Sequence, residues 1–337
     1  MNQKKRNPTM NDVAKLAGVS QTTVSFVING IPGIPDETKE KVLAVINEIG
    51  YRPNSVAQSL RKQRSGLIGF ITDEIAITPF AGRIFEGAQD VAWSKGKILL
   101  LVNTKNDAAL QDTAIDLLMD RQVEGIIYAT MYHRPVTPPR ILWQIPSVLL
   151  DCYVEDHSLP SVVPDEKKGG YTATRVLLNK GHRRIGYVNN IDPIPATSGR
   201  LAGYQAALMD FGIPFDPDLV ACDHSDAGGG YRATQKLMEL PDRPTALFCF
   251  NDRMAMGAYD ALRKLGLSIP DDVAVIGFDN QEVIAAHLYP ELSTIELPHY
   301  EMGVWATNYL LEHIDQEGGI MPLQHAIDCP YIERASV

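Results

Sequence analysis

Thr9-Met10-Asn11-Asp12-Val13-Ala14-Lys15-Leu16-Ala17-Gly18-Val19-Ser20-Gln21-Thr22-Thr23-Val24-Ser25 packs the start and stop signals of two short helices into one stretch. Thr9 and Asp12 stand at the spacing of a capping box, and Val13, Ala14, Leu16 and Ala17 follow as a short helical run. Gly18 ends that run. Ser20 is a good N-cap for a second helix, in which Val24, Val27 and Ile28 recur at helical spacing before Asn29-Gly30 stops it. Two short helices joined by a tight glycine-containing turn predict a helix-turn-helix. In that motif the N-terminal residues of the second helix reach base edges in the major groove, which nominates Gln21 and Thr22, with Ser25 one turn later. Gln can pair bidentately with adenine. The hydroxyls of Thr9, Ser20 and Thr23 suit phosphates, where they set register; the alternative for each is plain capping or solvent exposure.

Working outward, Pro35 with Asp36 and Glu37 announces a third helix that carries Val42, Val45, Ile46 and Ile49 on one face and ends at Gly50. Three such helices can enclose one small core. Tyr51-Arg52-Pro53-Asn54-Ser55-Val56-Ala57-Gln58-Ser59-Leu60-Arg61-Lys62 comes next. Asn54 can cap about two helical turns with Val56, Ala57 and Leu60 on one face, too short to stand alone in water. Such a segment needs a partner, and its apolar face sets it apart from a plain linker. Charge supports a polyanion as ligand for this end of the chain: residues 1–64 hold ten Lys/Arg against five Asp/Glu, a balance of +5, which leaves −15 for the rest of a chain whose total is −10.

The chain has 337 residues, 45% of them hydrophobic and 21% charged, enough for about two globular domains with room for a small third, and far from a disordered composition. Met1 to Thr9 is polar and basic and no apolar run reaches the ~18 residues that span a bilayer, so neither a signal peptide nor a membrane partner is expected, and the location expected is cytoplasmic. Cys152, Cys222, Cys249 and Cys329 lie far apart without C-x-x-C spacing; they read as reduced core thiols, with no metal site.

The stretch from Thr9 to Ser25, then Val27-Ile28-Asn29-Gly30, then Tyr51 to Leu60, resembles the headpiece and hinge of the lactose-repressor (LacI/GalR) family of bacterial transcription regulators. The resemblance extends the DNA-contacting set to Phe26, Asn29, Asn54, Ala57 and Leu60. In that family paired hinge helices enter the minor groove and each inserts a leucine, here matched by Leu60, which exchanges base stacking for extra contact. Phe26 departs from the Arg or His that several members carry. A phenyl ring cannot donate to guanine but can touch a thymine methyl, so either the operator differs there or Phe26 packs.

From Gly66 onward short apolar runs alternate with helical patterns, the mark of parallel sheets with crossover helices. Strands are expected at 67–71, 98–102, 125–129, 147–150, 185–189, 219–222, 246–250 and 273–278, with helices between them such as 83–95, 108–121, 170–180, 200–211, 230–240 and 254–265. That is too many units for one sheet, so two lobes are expected, with a ligand crevice beyond the strand ends. The resemblance continues through Gly181-His182-Arg183-Arg184-Ile185, Gly199 to Tyr204, Phe250 to Gly257 and Val275 to Asn280. It implies an α/β, two-lobed body with the fold of periplasmic binding proteins, crossed near Ser161, Tyr289 and Leu323. The organisation expected is a headpiece at 1–52, a hinge at 53–65 and a body at 66–337. Its N-lobe would take 66–161 and 290–322, and its C-lobe 162–289 and 323–337. Family effector contacts map onto Phe80, Asp151, Arg200, Asn251, Phe278 and Asp279, and also onto Asp73, Pro79, Tyr128 and Ser225. Arg200 with Asp151, Asn251 and Asp279 offers fork donors and carboxylate acceptors to a polyhydroxylated ligand, and the phenyl of Phe80 can stack on a sugar or a purine.

Enzymatic readings find little support: G-x-S-x-G, H-E-x-x-H and G-x-x-x-x-G-K-[ST] are missing, and Gly228-Gly229-Gly230 is not a dinucleotide fingerprint. Asp73, Asp151 and Asp279 could only in principle make a hydrolase acid/base pair. No cofactor is expected. The expected function is a dimeric regulator bound to double-stranded operator DNA, most often a repressor, whose affinity is set by a small effector, a carbohydrate ahead of a purine. A transport-type sugar-binding protein and a sugar-processing enzyme are the other readings. The end at Ile332 to Val337 carries no heptad tail, so a tetramer is not expected.

Overall fold

Thr9 closes a reciprocal capping box with Asp12: its Oγ1 accepts from the Asp12 amide at 3.3 Å while the Asp12 carboxylate takes the Thr9 amide at 2.8 Å. Helix α1 (Met10–Ala17) follows and ends at Gly18, whose φ of +65° is the left-handed turn that glycine permits at low cost. Ser20 Oγ then accepts from the Thr23 amide at 3.1 Å to start α2 (Gln21–Ile28). In α3 (Asp36–Ile49) the acidic pair Asp36 and Glu37 lies in the first turn, where it complements the helix dipole. Val13, Ala14, Ala17, Val24, Val42 and Tyr51 form the buried core, with Val27, Val45, Ile46 and Ile49 packed around it. Leu16 points elsewhere and is 61% exposed.

The computed structural model describes residues 8–52, 64–74, 82–316 and 320–337, and it separates into two units at the Ser65–Gly66 junction. The second unit is built on two six-stranded sheets. In chain order the first carries β1 (Leu67–Thr72), β2 (Ile98–Asn103), β3 (Ile126–Pro135), β4 (Ser147–Tyr153), β5 (Ser161–Pro164) and, much later, β11 (Gln324–Ile327), arranged β11-β5-β4-β3-β1-β2. The second carries β6 (Ile185–Asn190), β7 (Val220–Asp223), β8 (Ala246–Cys249), β9 (Ala274–Asp279), β10 (Ser293–Glu296) and β12 (Tyr331–Ile332), arranged β12-β10-β9-β8-β6-β7. All pairings are parallel except the short β10–β12 pair.

Helices α4 (Gly82–Ser94) and α11 (His299–His313) cover one face of the first sheet, and α5 (Ala108–Asp120) lies on the other. On the second sheet α6 (Glu166–Asn179) and α7 (Pro195–Asp210) cover one face, while α8 (Ala227–Met238) and α9 (Asp252–Lys264) cover the other. A short α10 (Glu282–Ala285) follows β9. Strand side chains alternate between the two faces: Ile185, Tyr187, Phe248, Ile276 and Phe278 enter the α6–α7 layer, whereas Val188, Leu247 and Val275 enter the α8–α9 layer. Each helix pair touches through glycine. Gly303 sits against Ile84 O, Gly203 against Lys167 O and Gly257 against Ala227 O, approaches that a Cβ would block. Gly230 does the same against Met254 O and Gly229 against His224 O, so two glycines of the Gly228-Gly229-Gly230 run serve packing.

The chain changes sheet between β5 and α6, between β10 and α11, and between β11 and β12. These crossings fall later than the expected positions near Ser161, Tyr289 and Leu323. The reason is that Ser161–Pro164 and Gln324–Ile327 still pair in the first sheet, and Ser293–Glu296 still pairs in the second. The N-lobe strands and helices are therefore found in 66–164 and 299–327, and the C-lobe ones in 166–296 and 331–332. Cys152, Cys249 and Cys329 are core thiols, as expected, but Cys222 on edge strand β7 is exposed.

Candidate functional site

On the headpiece, α2 begins with two exposed polar residues, Gln21 and Thr22, and exposes Phe26 to 37% and Asn29 beyond it. Phe26 therefore is not a core residue. Thr23 and Ser25 are half-buried on the same helix. Several hydroxyls already serve the backbone: Ser20 Oγ caps α2 and lies 2.9 Å from Thr23 Oγ1, and Thr9 Oγ1 donates to the Asp12 carboxylate at 2.6 Å. Asn29 Nδ2 donates to Ser25 O at 2.7 Å and so holds the helix end. The helix carries neither an acidic residue in its first turn nor a basic one in its last. Asn54, Ala57 and Leu60 lie outside the described residues.

In the body, a cavity of about 510 Å³ opens between the two sheets at the carboxyl ends of their strands. Asp151 on β4 and His133 on β3 line it from the N-lobe, and Arg200, Ser225, Asn251 and Asp279 from the C-lobe. The structure thus brings five of the residues singled out from sequence to one place. Arg200 is 3% exposed. Its Nε donates to Glu166 Oε2 at 2.6 Å, its Nη1 donates to Phe250 O, and the same Nη1 lies 3.5 Å from Asp279 Oδ1. The guanidinium stacks on the Phe278 ring at 3.6 Å from its centroid. Phe278 itself is fully buried in a column with Phe248, Tyr187 and Tyr204, so it supports the arginine from below and is not among the residues lining the cavity. Burial works against the arginine charge, and the Glu166 and Asp279 carboxylates more than offset it, holding the guanidinium firmly protonated.

Asp279 ends β9 at φ +105° and Asn280 follows at +52°, a left-handed pair of non-glycine residues. Buried Asp252 holds this turn. Its carboxylate accepts the Gln281 amide at 2.6 Å and the Thr294 hydroxyl at 2.6 Å, and Gln281 Nε2 in turn donates to Asp279 Oδ2 at 2.9 Å. Burial raises the Asp279 carboxyl above the usual carboxylate range, with Arg200 pulling the other way. Asn251 caps α9, its Oδ1 accepting from Met254 N at 2.8 Å and its Nδ2 donating to Ser225 O at 3.2 Å.

Asp151 is the contrasting group. It is 3% exposed, adopts φ +57°, and its Oδ1 is buried without a hydrogen-bond partner among the described residues. Burial, then the nearby Glu166 and Asp73 charges, raises its carboxyl well above the ordinary value. His133 Nδ1 is likewise buried and unpartnered, and burial lowers its basicity. His299, at the start of α11, is also in the cavity wall, and burial holds its imidazole down to about 4.

Asp73 and Tyr128 do not line the cavity among the described residues. Arg134 Nη2 engages Asp73 at 2.7 Å, and Gln111 Nε2 donates to the Tyr128 hydroxyl at 2.8 Å. Pro79 and Phe80 lie outside the described residues. Sequence reasoning missed Glu166, Gln281, His133 and His299. For Glu166 the only local signal is Asp165, which caps α6 by accepting from Lys168 N at 2.9 Å.

No group of three or more metal-ligating side chains occurs among the described residues, and no described helix is long and apolar enough to cross a membrane.

Residues 9–54 match the model of "Bacterial regulatory proteins, lacI family", and residues 65–335 match that of "Periplasmic binding proteins and sugar binding domain of LacI family". The chain is 34% identical to the ribose operon repressor of Haemophilus influenzae over 91% of this chain and 92% of that protein. It is 35% identical to the HTH-type transcriptional repressor PurR of Pectobacterium atrosepticum over 91% of this chain and 90% of that one. Among solved structures it resembles the lac repressor dimer bound to operator and an anti-inducer, with a TM-score of 0.77 and 26% identity over 98% of this chain and 99% of that one. The chain therefore belongs to the lacI family of bacterial regulatory proteins, transcription regulators that join a helix-turn-helix headpiece to an effector-binding body.

Proposed function

We propose that the protein is a dimeric repressor that acts in the cytoplasm and reads a dyad-symmetric operator, and that a carbohydrate held between the lobes sets its operator affinity. The observation that carries this reading is the cavity itself. It is walled by Arg200, Asn251 and Asp279 on one lobe and by Asp151 and His133 on the other, so a ligand that bridges them has different affinity for open and closed arrangements. Such a difference is the only way a small molecule can shift a conformational equilibrium, and half-site spacing makes operator binding sensitive to small rotations.

In the headpiece, Gln21 and Thr22 read base edges in the major groove, and Ser25, Phe26 and Asn29 extend that contact along α2. Thr9, Ser20 and Thr23 set register on phosphates. Asn54, Ala57 and Leu60 act in the minor groove, with Leu60 as the wedge. In the body, the remaining donors of Asn251 and Arg200 and the acceptors of Asp151 and Asp279 suit vicinal hydroxyls, and the match of residues 65–335 to a sugar-binding domain model supports a sugar as the ligand. No catalytic role is assigned to any of these groups.

The test selects bound duplexes from a random pool with the full chain and measures their affinity against salt. The expected result is a palindromic site with a steep negative salt slope from several phosphate contacts, lost on deletion of residues 1–65. Equal affinity of residues 66–337 for the selected duplex overturns the reading. Thermal stabilisation of the body against sugars and purines then identifies the ligand class, because a compound that binds only the folded state raises its stability by mass action.

A further inference from the structure

The cavity holds an arginine whose Nε and Nη1 are already taken. A free guanidinium deep in a cleft is the natural anchor for a phosphate or carboxylate, which it binds bidentately. Here Glu166 occupies the Nε of Arg200, the Phe250 carbonyl occupies Nη1, Asp279 stands 3.5 Å from the same nitrogen, and Phe278 covers one face. Glu166, which is buried, and Asp279, which is half-buried, both pair with this buried guanidinium, and a third carboxyl group, the buried Asp151, lines the same cavity. Asp192 and Arg253 also line the cavity, but both are exposed and of opposite sign.

Glu166 is held there by construction. It is the first residue of α6, and a Cβ on Gly199 of the adjoining α7 would stand only 2.8 Å from the Glu166 Cβ. On the facing lobe, Asp151 Oδ1 is buried with no donor among the described residues. An acceptor so placed gains most from a hydroxyl, amide or ammonium hydrogen and loses most from a second anion brought into the same poorly solvated space.

We infer that the cleft selects an effector without negative charge, and that Glu166 is the specificity residue, excluding phosphorylated and carboxylated sugars by occupying Arg200. This assignment rests on reading the cavity as the effector site. Glu166 acts through Arg200, so neutralising it opens the guanidinium to anions and leaves the rest of the cavity as it is.

Thermal stability of the full chain is measured with rising sulfate, ribose 5-phosphate and glucuronate, for the wild type and for Glu166→Gln, with Asp279→Asn as a second variant should the first fail to fold. The expected result is no saturable stabilisation of the wild type and a concentration-dependent one in the variant, at least tenfold tighter for one or more of these anions. Equal stabilisation of wild type and variants overturns the inference, and so does a lack of response in all of them. Operator affinity in the same samples separates the two levels of argument. An anion that stabilises Glu166→Gln yet leaves operator affinity unchanged upholds the charge assignment and overturns the effector reading.

Discussion

Both lobes carry a six-stranded sheet between helix layers that meet through glycine, yet they meet the cavity differently. The C-lobe presents Arg200 clamped by Glu166 and Asp279, and Asn251 committed to a helix cap. The N-lobe presents Asp151 and His133, each with a buried polar atom that no described residue satisfies. The C-lobe wall is thus preorganised, and the N-lobe wall keeps its hydrogen-bonding capacity in reserve. A ligand that bonds to both walls gains its largest new interactions on the N-lobe side, which is the asymmetry that lets ligand binding favour one interlobe angle.

The largest effect should come from breaking the C-lobe clamp. Arg200→Met leaves the buried Glu166 and the half-buried Asp279 without their cation, and about 3–5 kcal/mol of body stability should be lost, read as a shift in the denaturant midpoint. A loss below 1 kcal/mol would show that the carboxylates are satisfied by something else. Next come the glycine contacts that the lobes share. Gly303→Ala in the N-lobe and Gly203→Ala in the C-lobe both force backbone apart, and each should cost about 1–3 kcal/mol by the same measurement. Clearly unequal costs would separate the lobes in packing as well as in chemistry.

A smaller and pH-dependent effect is expected at Asp151. Its folded carboxyl titrates above the unfolded one, so the folded state binds the extra proton. Its favourable contribution is complete below the unfolded value near 4 and is lost as pH rises through the folded value. Asp151→Asn should therefore be more stable than the wild type at pH 7, with the difference shrinking toward pH 4, while effector response falls. A difference that grows on acidification would contradict the assignment. The smallest stability change is expected at Phe26→Ala, within about 0.5 kcal/mol because the ring is already 37% exposed, together with an altered base preference in duplex selection. An unchanged preference would remove Phe26 from the reading set.

The helix signals in the headpiece are local, and for that reason legible: the Thr9–Asp12 box, Gly18, Ser20 and Gly50 all mark ends that the structure places there. The apolar strands buried on both faces were equally readable. The strands that escape a reading of local pattern, Ser161–Pro164, Ser293–Glu296, Gln324–Ile327 and Tyr331–Ile332, are only two to four residues long. Their pairing is set by chain crossings that no local pattern encodes, which is why the lobe boundaries shifted. Glu166 was hidden for a related reason. Within Asp165-Glu166-Lys167-Lys168 it resembles an ordinary solvated helix start, and only the approach of α7 buries it against Arg200. Asp151 and Asp279 could be singled out because the family's effector contacts map onto them, and their place at the ends of apolar strand runs agrees with that.

The most direct test of the account is a titration of the selected operator complex with whichever compound stabilises the body. The account predicts a change in operator affinity of at least tenfold, about 1.4 kcal/mol of coupling, with the operator changing the compound's affinity by the same factor. A compound that saturates the cavity, as judged by its loss on Asp151→Asn, and yet leaves operator affinity unchanged would contradict the proposal that this cavity controls DNA binding.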